Sequence, residues 1–194
     1  MLVDLTVGVT AEMRKLAVEM GGLVSLGHLG THFDVMDKEF PLVYTRREAV
    51  VFDLSSNPSE EIEIGDIDLS LVEADFFVAF RTDWIERKRY GTKEYLGLHP
   101  QLSNGLIDAL IERRISIIGL DFVGARREPE HTAKDRYCAD KGVFIVENLH
   151  NLKALTGGRK AARCVINTYP INFSGQTGLP CRVVAETGEA SLSI

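Results

Sequence analysis

Two histidines and an aspartate stand close together in the run His28-Leu29-Gly30-Thr31-His32-Phe33-Asp34. Two imidazoles and a carboxylate form a donor set that suits Zn²⁺ or Mn²⁺. Read as a strand, period-two alternation puts His28, Gly30, His32 and Asp34 on one face and Leu29, Thr31 and Phe33 on the other. A helix would join His28 to His32 but turn Asp34 away. Four residues of extended strand span ~13 Å, too far for both imidazoles to meet at one ion. Gly30 supplies a remedy, because glycine accepts backbone angles that other residues resist and so permits a bend or bulge. Asp34 lies two residues beyond His32, about 6–7 Å along a strand, within easy reach. The competing reading is two surface histidines beside a turn aspartate, and spacing alone leaves both open.

Other groups could join such a site. Asp121 and Glu147 stand at the ends of apolar runs, and in α/β folds the strand ends ring the ligand site. Glu147 could equally cap the helix that follows it. His131 and Asp135 are four apart and share a helical face, as site residues or as a surface pair. Trp84, Phe33 and Phe40 could stack on an aromatic substrate or simply pack. Arg182 could bind a carboxylate or make a structural ion pair.

The elements that must position these groups are legible in outline. Residues 2–7 read as a short strand. Val9 to Met20 carries Met13, Leu16, Ala17 and Met20 at helical spacing, with Thr10 as N-cap and Gly21-Gly22 as the stop. Leu23 to Asp34 reads as a strand with a bend. Ala49–Leu54, Ala74–Phe80, Ile115–Leu120 and Val143–Val146 are buried strands by their β-branched and aromatic content. Ser103 caps a helix with Leu106, Ile107, Leu110 and Ile111 on one face. Thr132–Lys141 is helical, and Leu149, Leu152 and Leu155 mark a short helix. Cys164–Pro170 and Arg182–Ala185 are the last strands. Strands and helices alternate through residues 74–155, which predicts parallel βα units there. The reading is an α/β fold with a mixed sheet, forming one domain over residues 1–194.

Composition narrows the function classes. The chain has 194 residues, 45% hydrophobic and 26% charged, with net charge −6. That length buries a core without disulfides. A net negative charge argues against nucleic-acid or anionic-membrane partners, which need a basic face. Arg87-Lys88-Arg89 is the richest basic cluster and reads as a solvated face. Three cysteines, Cys138, Cys164 and Cys181, have no CxxC spacing and read as small buried hydrophobes in a reducing compartment. No basic flank precedes an apolar run in Met1-Leu2-Val3-Asp4-Leu5, and no stretch approaches a membrane span. The cytoplasm is the expected location.

The His28–Asp34 run resembles the HxGTHxD signature of the cyclase family of metal-dependent hydrolases, which includes bacterial kynurenine formamidase and isatin hydrolase. Asp4-Leu5-Thr6, Val51-Phe-Asp-Leu-Ser55, Ile64-Gly-Asp66, Phe80-Arg-Thr-Asp-Trp84, Ile118-Gly-Leu-Asp121, Ile145–Leu152, Tyr169–Asn172 and Gly178–Arg182 fall in that family's order. The resemblance implies a swivelling β/β/α fold, a homodimer or larger homo-oligomer, and hydrolysis of an amide, formamide or lactam C–N bond in a small molecule. It implies a divalent metal, Zn or Mn, on His28, His32 and Asp34, with Glu147 as an acid near or on the metal. Two positions depart from the pattern. A histidine four residues after the aspartate usually serves as general acid/base, and here it is Lys38. Members with two metals place a histidine twelve residues before the glutamate, and here it is Asp135, with His131 one turn earlier as a substitute. The family's N-terminal Tyr-Pro-Gly segment is also missing. Lys38 is thus expected either to shuttle protons, which requires a pKa pulled down from ~10.4, or to bind an acidic substrate. A catalytically weakened metal- or ligand-binding protein is the alternative.

Overall fold

The computed structural model describes residues 1–13, 15, 27–56 and 59–188. Its strands are β1 (Leu2–Asp4), β2 (His32–Asp34), β3 (Arg46–Asp53), β4 (Glu61–Ile62), β5 (Phe77–Arg81), β6 (Gln101–Leu102), β7 (Ile117–Leu120), β8 (Phe144–Glu147), β9 (Ala161–Pro170) and β10 (Gly178–Glu186). Five α-helices are described: α1 (Trp84–Lys88), α2 (Lys93–Leu96), α3 (Asn104–Glu112), α4 (His131–Asp140) and α5 (Lys153–Thr156). The helix expected over residues 9–20 falls mostly outside the described residues.

The main sheet runs β1-β10-β2-β8-β7-β5-β3-β9. Strands β3, β5, β7 and β8 pair in parallel, as the βα alternation requires. Strands β1, β2, β9 and β10 pair antiparallel, so the sheet is mixed. Because β9 pairs with both β3 and β10, the ladder closes on itself. Closure leaves no edge strand within the ring, and β1 lies outside it, paired with β10 alone.

Alternation along the strands sorts side chains into two cores. Val3, Phe33, Ala49, Val51, Phe77, Ile117, Val146, Ile166 and Val183 face inward, drawn from nearly every strand. Val50, Phe52, Val78, Phe80, Ile118, Leu120 and Ile145 face outward, covered by Leu106, Ile107 and Leu110 of α3 and Cys138 of α4. Helix α3 starts where expected: the Ser103 hydroxyl accepts the Leu106 N–H at 3.1 Å. All three cysteines are free and buried.

The run Leu23–Asp34 is the main revision. Only His32–Asp34 is strand, residues 27–31 form a turn, and residues 23–26 fall outside the described residues. Gly27 and Gly30 sit at φ +95° and +68°, the left-handed region that glycine enters without a Cβ penalty. The bend expected at Gly30 is present, and with Gly27 it takes residues 27–31 out of the strand.

Candidate metal centre

Strand β2 carries Phe33 into the inner core, so its neighbours His32 and Asp34 must face outward. On β8 the same alternation sends Val146 inward and Glu147 outward. The two strands are antiparallel with His32 directly opposite Glu147. Helix α4 packs over β8 and adds His131 and Asp135 from one face. The Gly30 turn then folds His28 back over its own strand. Of these six residues, three lie on the two paired strands, two on the covering helix and His28 on the turn.

His28 Nδ1 lies 3.1 Å from His32 Nε2 and 3.0 Å from Asp34 Oδ1, and His32 Nε2 lies 3.5 Å from the same oxygen. A tetrahedral ion with metal–ligand bonds of 2.0–2.2 Å spaces its donors by about 3.4 Å. The triangle therefore has the dimensions of one face of such a site. Each imidazole is held by its far nitrogen: His28 Nε2 contacts Thr177 Oγ1 at 2.8 Å, and His32 Nδ1 contacts the Gly30 carbonyl at 2.9 Å. Holding the far nitrogen is how proteins orient metal-binding imidazoles.

A second group shares Asp34 and adds His131, Asp135 and Glu147. His131 Nε2 stands 3.0 Å from Asp135 Oδ2 and 3.4 Å from Glu147 Oε1. Gly124 makes this possible. Its N–H donates to Glu147 Oε1, and a Cβ there would lie 2.8 Å from His131 Nε2.

The donor chemistry fits a divalent cation. Both carboxylate oxygens of Asp34 and both of Asp135 are buried, and among the described residues the only donors facing them are the imidazoles of the cluster itself. Leaving a buried charged acceptor unsatisfied is costly, and a cation is the partner that would satisfy several at once. Three carboxylates crowd here, and the acidities respond. Burial, and then the neighbouring charge of Asp34, pushes Glu147 up. Burial pushes Asp135 up to about 7, against the pull of His131. Burial opposes the charge on His32, but Asp34 and Glu147 outweigh it and raise His32 to about 9. Burial likewise opposes His131, which Asp135 and Glu147 raise to about 11. Burial resists ionisation of Asp34, yet His28 and His32 hold it well below the usual carboxylate range.

The structure does not bring Lys38 to this cluster. Its ammonium pairs with Asp140 at 2.7 Å on the protein's exterior, and that pairing raises its pKa instead of lowering it. The turn at Met36 and Asp37, both at positive φ, carries the chain outward before Lys38 is reached. The proton-shuttling role expected of Lys38 is therefore corrected. Asp121 is also spent elsewhere: its carboxylate accepts from Thr82 N, Thr82 Oγ1 and Asp83 N. Phe33 is buried in the inner core, Phe40 packs against it at 4.6 Å, and Trp84 donates to the Tyr95 carbonyl. Arg182 pairs with Asp4. Sequence reasoning did not find Tyr90, Tyr95, Asn148, Thr177 or Gly124, which surround the turn and Glu147. Asn148 directly follows Glu147, and that adjacency was the one local signal.

Residues 3–125, more than half of the chain, match the family described as "Putative cyclase". The chain belongs to the cyclase family. No curated protein matches the sequence. Among solved structures, a potential metal-dependent hydrolase with cyclase activity superposes with TM-score 0.72 at 20% identity, covering 95% of this chain and 96% of that one. Isatin hydrolase A from Labrenzia aggregata gives 0.69 at 22% identity, covering 95% and 93%. Isatin hydrolase A from Ralstonia solanacearum gives 0.71 at 18% identity, covering 95% and 91%. At these identities the likeness is one of fold. This cyclase-family chain keeps the α/β fold with a mixed sheet over nearly its whole length.

Proposed function

We propose that the protein is a metal-dependent hydrolase that cleaves an amide, formamide or lactam C–N bond in a small molecule, in the manner of an arylformamidase. One observation carries the reading: the His28, His32 and Asp34 donors converge within 3.0–3.5 Å at a buried cluster of carboxylates. Zn²⁺ or Mn²⁺ would be held there, and when bound it supplies a water of lowered pKa and a polarised carbonyl. His131, Asp135 and Glu147 offer a neighbouring set sharing Asp34, with His131 giving the nitrogen that Asp135 does not.

In this reading Glu147 handles the proton. Its Oε1 is fixed by the Gly124 N–H, and its Oε2 faces His32 Nε2 at 3.6 Å. In the reaction, the water oxygen bonds to the carbonyl carbon, the C–N bond breaks, and the water's proton passes by way of Glu147 to the departing nitrogen. The products are a carboxylic acid and an amine, joined in one molecule when a lactam opens.

Catalytic weakening is the second reading. It rests on the exposed Lys38–Asp140 pair, which leaves the family's usual acid/base position out of the site. Among the described residues no helix is long and apolar enough to cross a membrane. The free, buried cysteines support the cytoplasmic placement. A homodimer or larger homo-oligomer remains part of the proposal, read by light scattering.

The test is turnover of N-formyl aromatic amines, lactams and cyclic amides by metal-loaded protein beside Glu147→Gln. Metal-dependent turnover lost in the variant supports the hydrolase. Stoichiometric metal without turnover on any of them favours the weakened binder.

A further inference from the structure

Both peptide groups that flank the Gly30 Cα are gripped by residues outside the His28–Asp34 run. The Tyr90 hydroxyl accepts the Gly30 N–H at 2.7 Å. On the other side, the Gly30 carbonyl accepts from Asn148 Nδ2 at 2.8 Å as well as meeting His32 Nδ1 at 2.9 Å. Asn148 is itself fixed. Its side-chain oxygen accepts the Tyr95 hydroxyl at 2.5 Å, and its carbonyl accepts the Thr31 hydroxyl at 2.8 Å. Tyr95 is fully buried and packs edge-on against Tyr90, with ring centroids 5.6 Å apart. Asn148 adopts φ +60°, which sets its side chain back toward the turn, and it is 2% exposed.

These contacts meet at one residue, on the two peptide groups that flank its Cα, and that residue decides two properties of the centre. Gly30 at φ +68° is the bend that brings His28 back to within 3.1 Å of His32. The Gly30 carbonyl is also the acceptor facing His32 Nδ1, so a proton there is favoured and Nε2, turned toward Asp34 and His28, is the nitrogen an ion would meet. An unfixed turn would let His28 swing away and let His32 exchange tautomers.

We infer that Asn148 and Tyr90 are positioning residues of the metal centre, clamping the peptide groups on either side of the Gly30 Cα so that His28 and His32 present their nitrogens to one ion. This rests on the metal reading above. Neither residue donates to the ion; each acts through the turn. Removing such an outer support lowers metal affinity by about 10–100-fold.

The experiment is a calorimetric titration of chelator-treated protein with Zn²⁺ and with Mn²⁺, for wild type, Asn148→Gly and Tyr90→Phe. Glycine keeps the positive φ while deleting the amide, and phenylalanine deletes only the hydroxyl. The expected result is a dissociation constant raised by about 10–100-fold in Asn148→Gly and by a smaller factor in Tyr90→Phe. A circular-dichroism melt of the metal-free variants separates this from general damage, since a merely structural role lowers the melting temperature and leaves the dissociation constant alone. If Asn148→Gly does not fold, Tyr90→Phe decides the matter. Folded variants that bind as tightly as wild type overturn the clamp while leaving the metal reading in place. Wild-type protein that binds neither ion overturns both.

Discussion

Gly124 to alanine tests the geometry of the helix α4 side of the site. Gly124 sits at φ +63°, and an alanine Cβ would meet His131 Nε2 at 2.8 Å and the Arg126 carbonyl oxygen at 2.9 Å. Left-handed backbone costs a residue with a Cβ roughly 1–2 kcal/mol. Forcing a methyl into filled space adds roughly 1–3 kcal/mol, and a backbone oxygen cannot swing aside as a flexible side chain can. The sum is about 2–5 kcal/mol, which in a domain of this size lowers the melting temperature by roughly 4–20 °C. Gly157 is the control. It has φ +55° with nothing within 4 Å of its added Cβ, so Gly157→Ala carries the backbone cost alone. Urea denaturation of both variants in chelator isolates the steric part as their difference, about 1–3 kcal/mol. The relief of that clash displaces His131 from Glu147 and Asp135, so metal content should also fall in Gly124→Ala and hold in Gly157→Ala. Equal destabilisation by the two substitutions, with equal metal content, would refute the placement of His131 against Gly124.

Two further outcomes follow from the same coordinates. Lys38→Ala should leave the melting temperature unchanged and kcat/KM within about threefold of wild type, since an exposed pair contributes little; a hundredfold loss would return Lys38 to the chemistry. Burial holds His99 down at about 4, stacked on Phe122 with its Nδ1 on the Pro100 carbonyl. The folded state therefore takes up this proton later than the unfolded chain. The contribution is fully present above pH 6.5 and is lost as pH falls from there toward 4. Chemical denaturation across that window should show a slope that flattens in His99→Gln, and an unchanged slope would contradict the buried neutral imidazole.

Much of this was legible in the residues. Four apolar runs gave the parallel strands because β-branched and aromatic residues at that density have no other soluble home. Ser103 and the helical spacing behind it located α3. The His28–Asp34 run announced its candidate donors, and Gly30 announced the bend, because two histidines four apart cannot share an ion along a straight strand. What escaped is what tertiary structure decides. Nothing local says that Lys38 faces Asp140, because that follows from positive φ at two non-glycine residues, Met36 and Asp37. Asp121 looked like a site acid until its three hydrogen bonds to Thr82 and Asp83 were seen. Tyr90 and Asn148 reach Gly30 across 60 and 118 residues of sequence, and no periodicity carries such a pairing.

The central claim is a divalent ion held by His28, His32 and Asp34, and elemental analysis of the purified protein beside a His32→Ala control tests it most directly. The account predicts near-stoichiometric zinc or manganese in the wild type and its loss in the control. Wild-type protein that retains neither metal after incubation with excess Zn²⁺ or Mn²⁺ and desalting, or a control that retains as much as wild type, would contradict it.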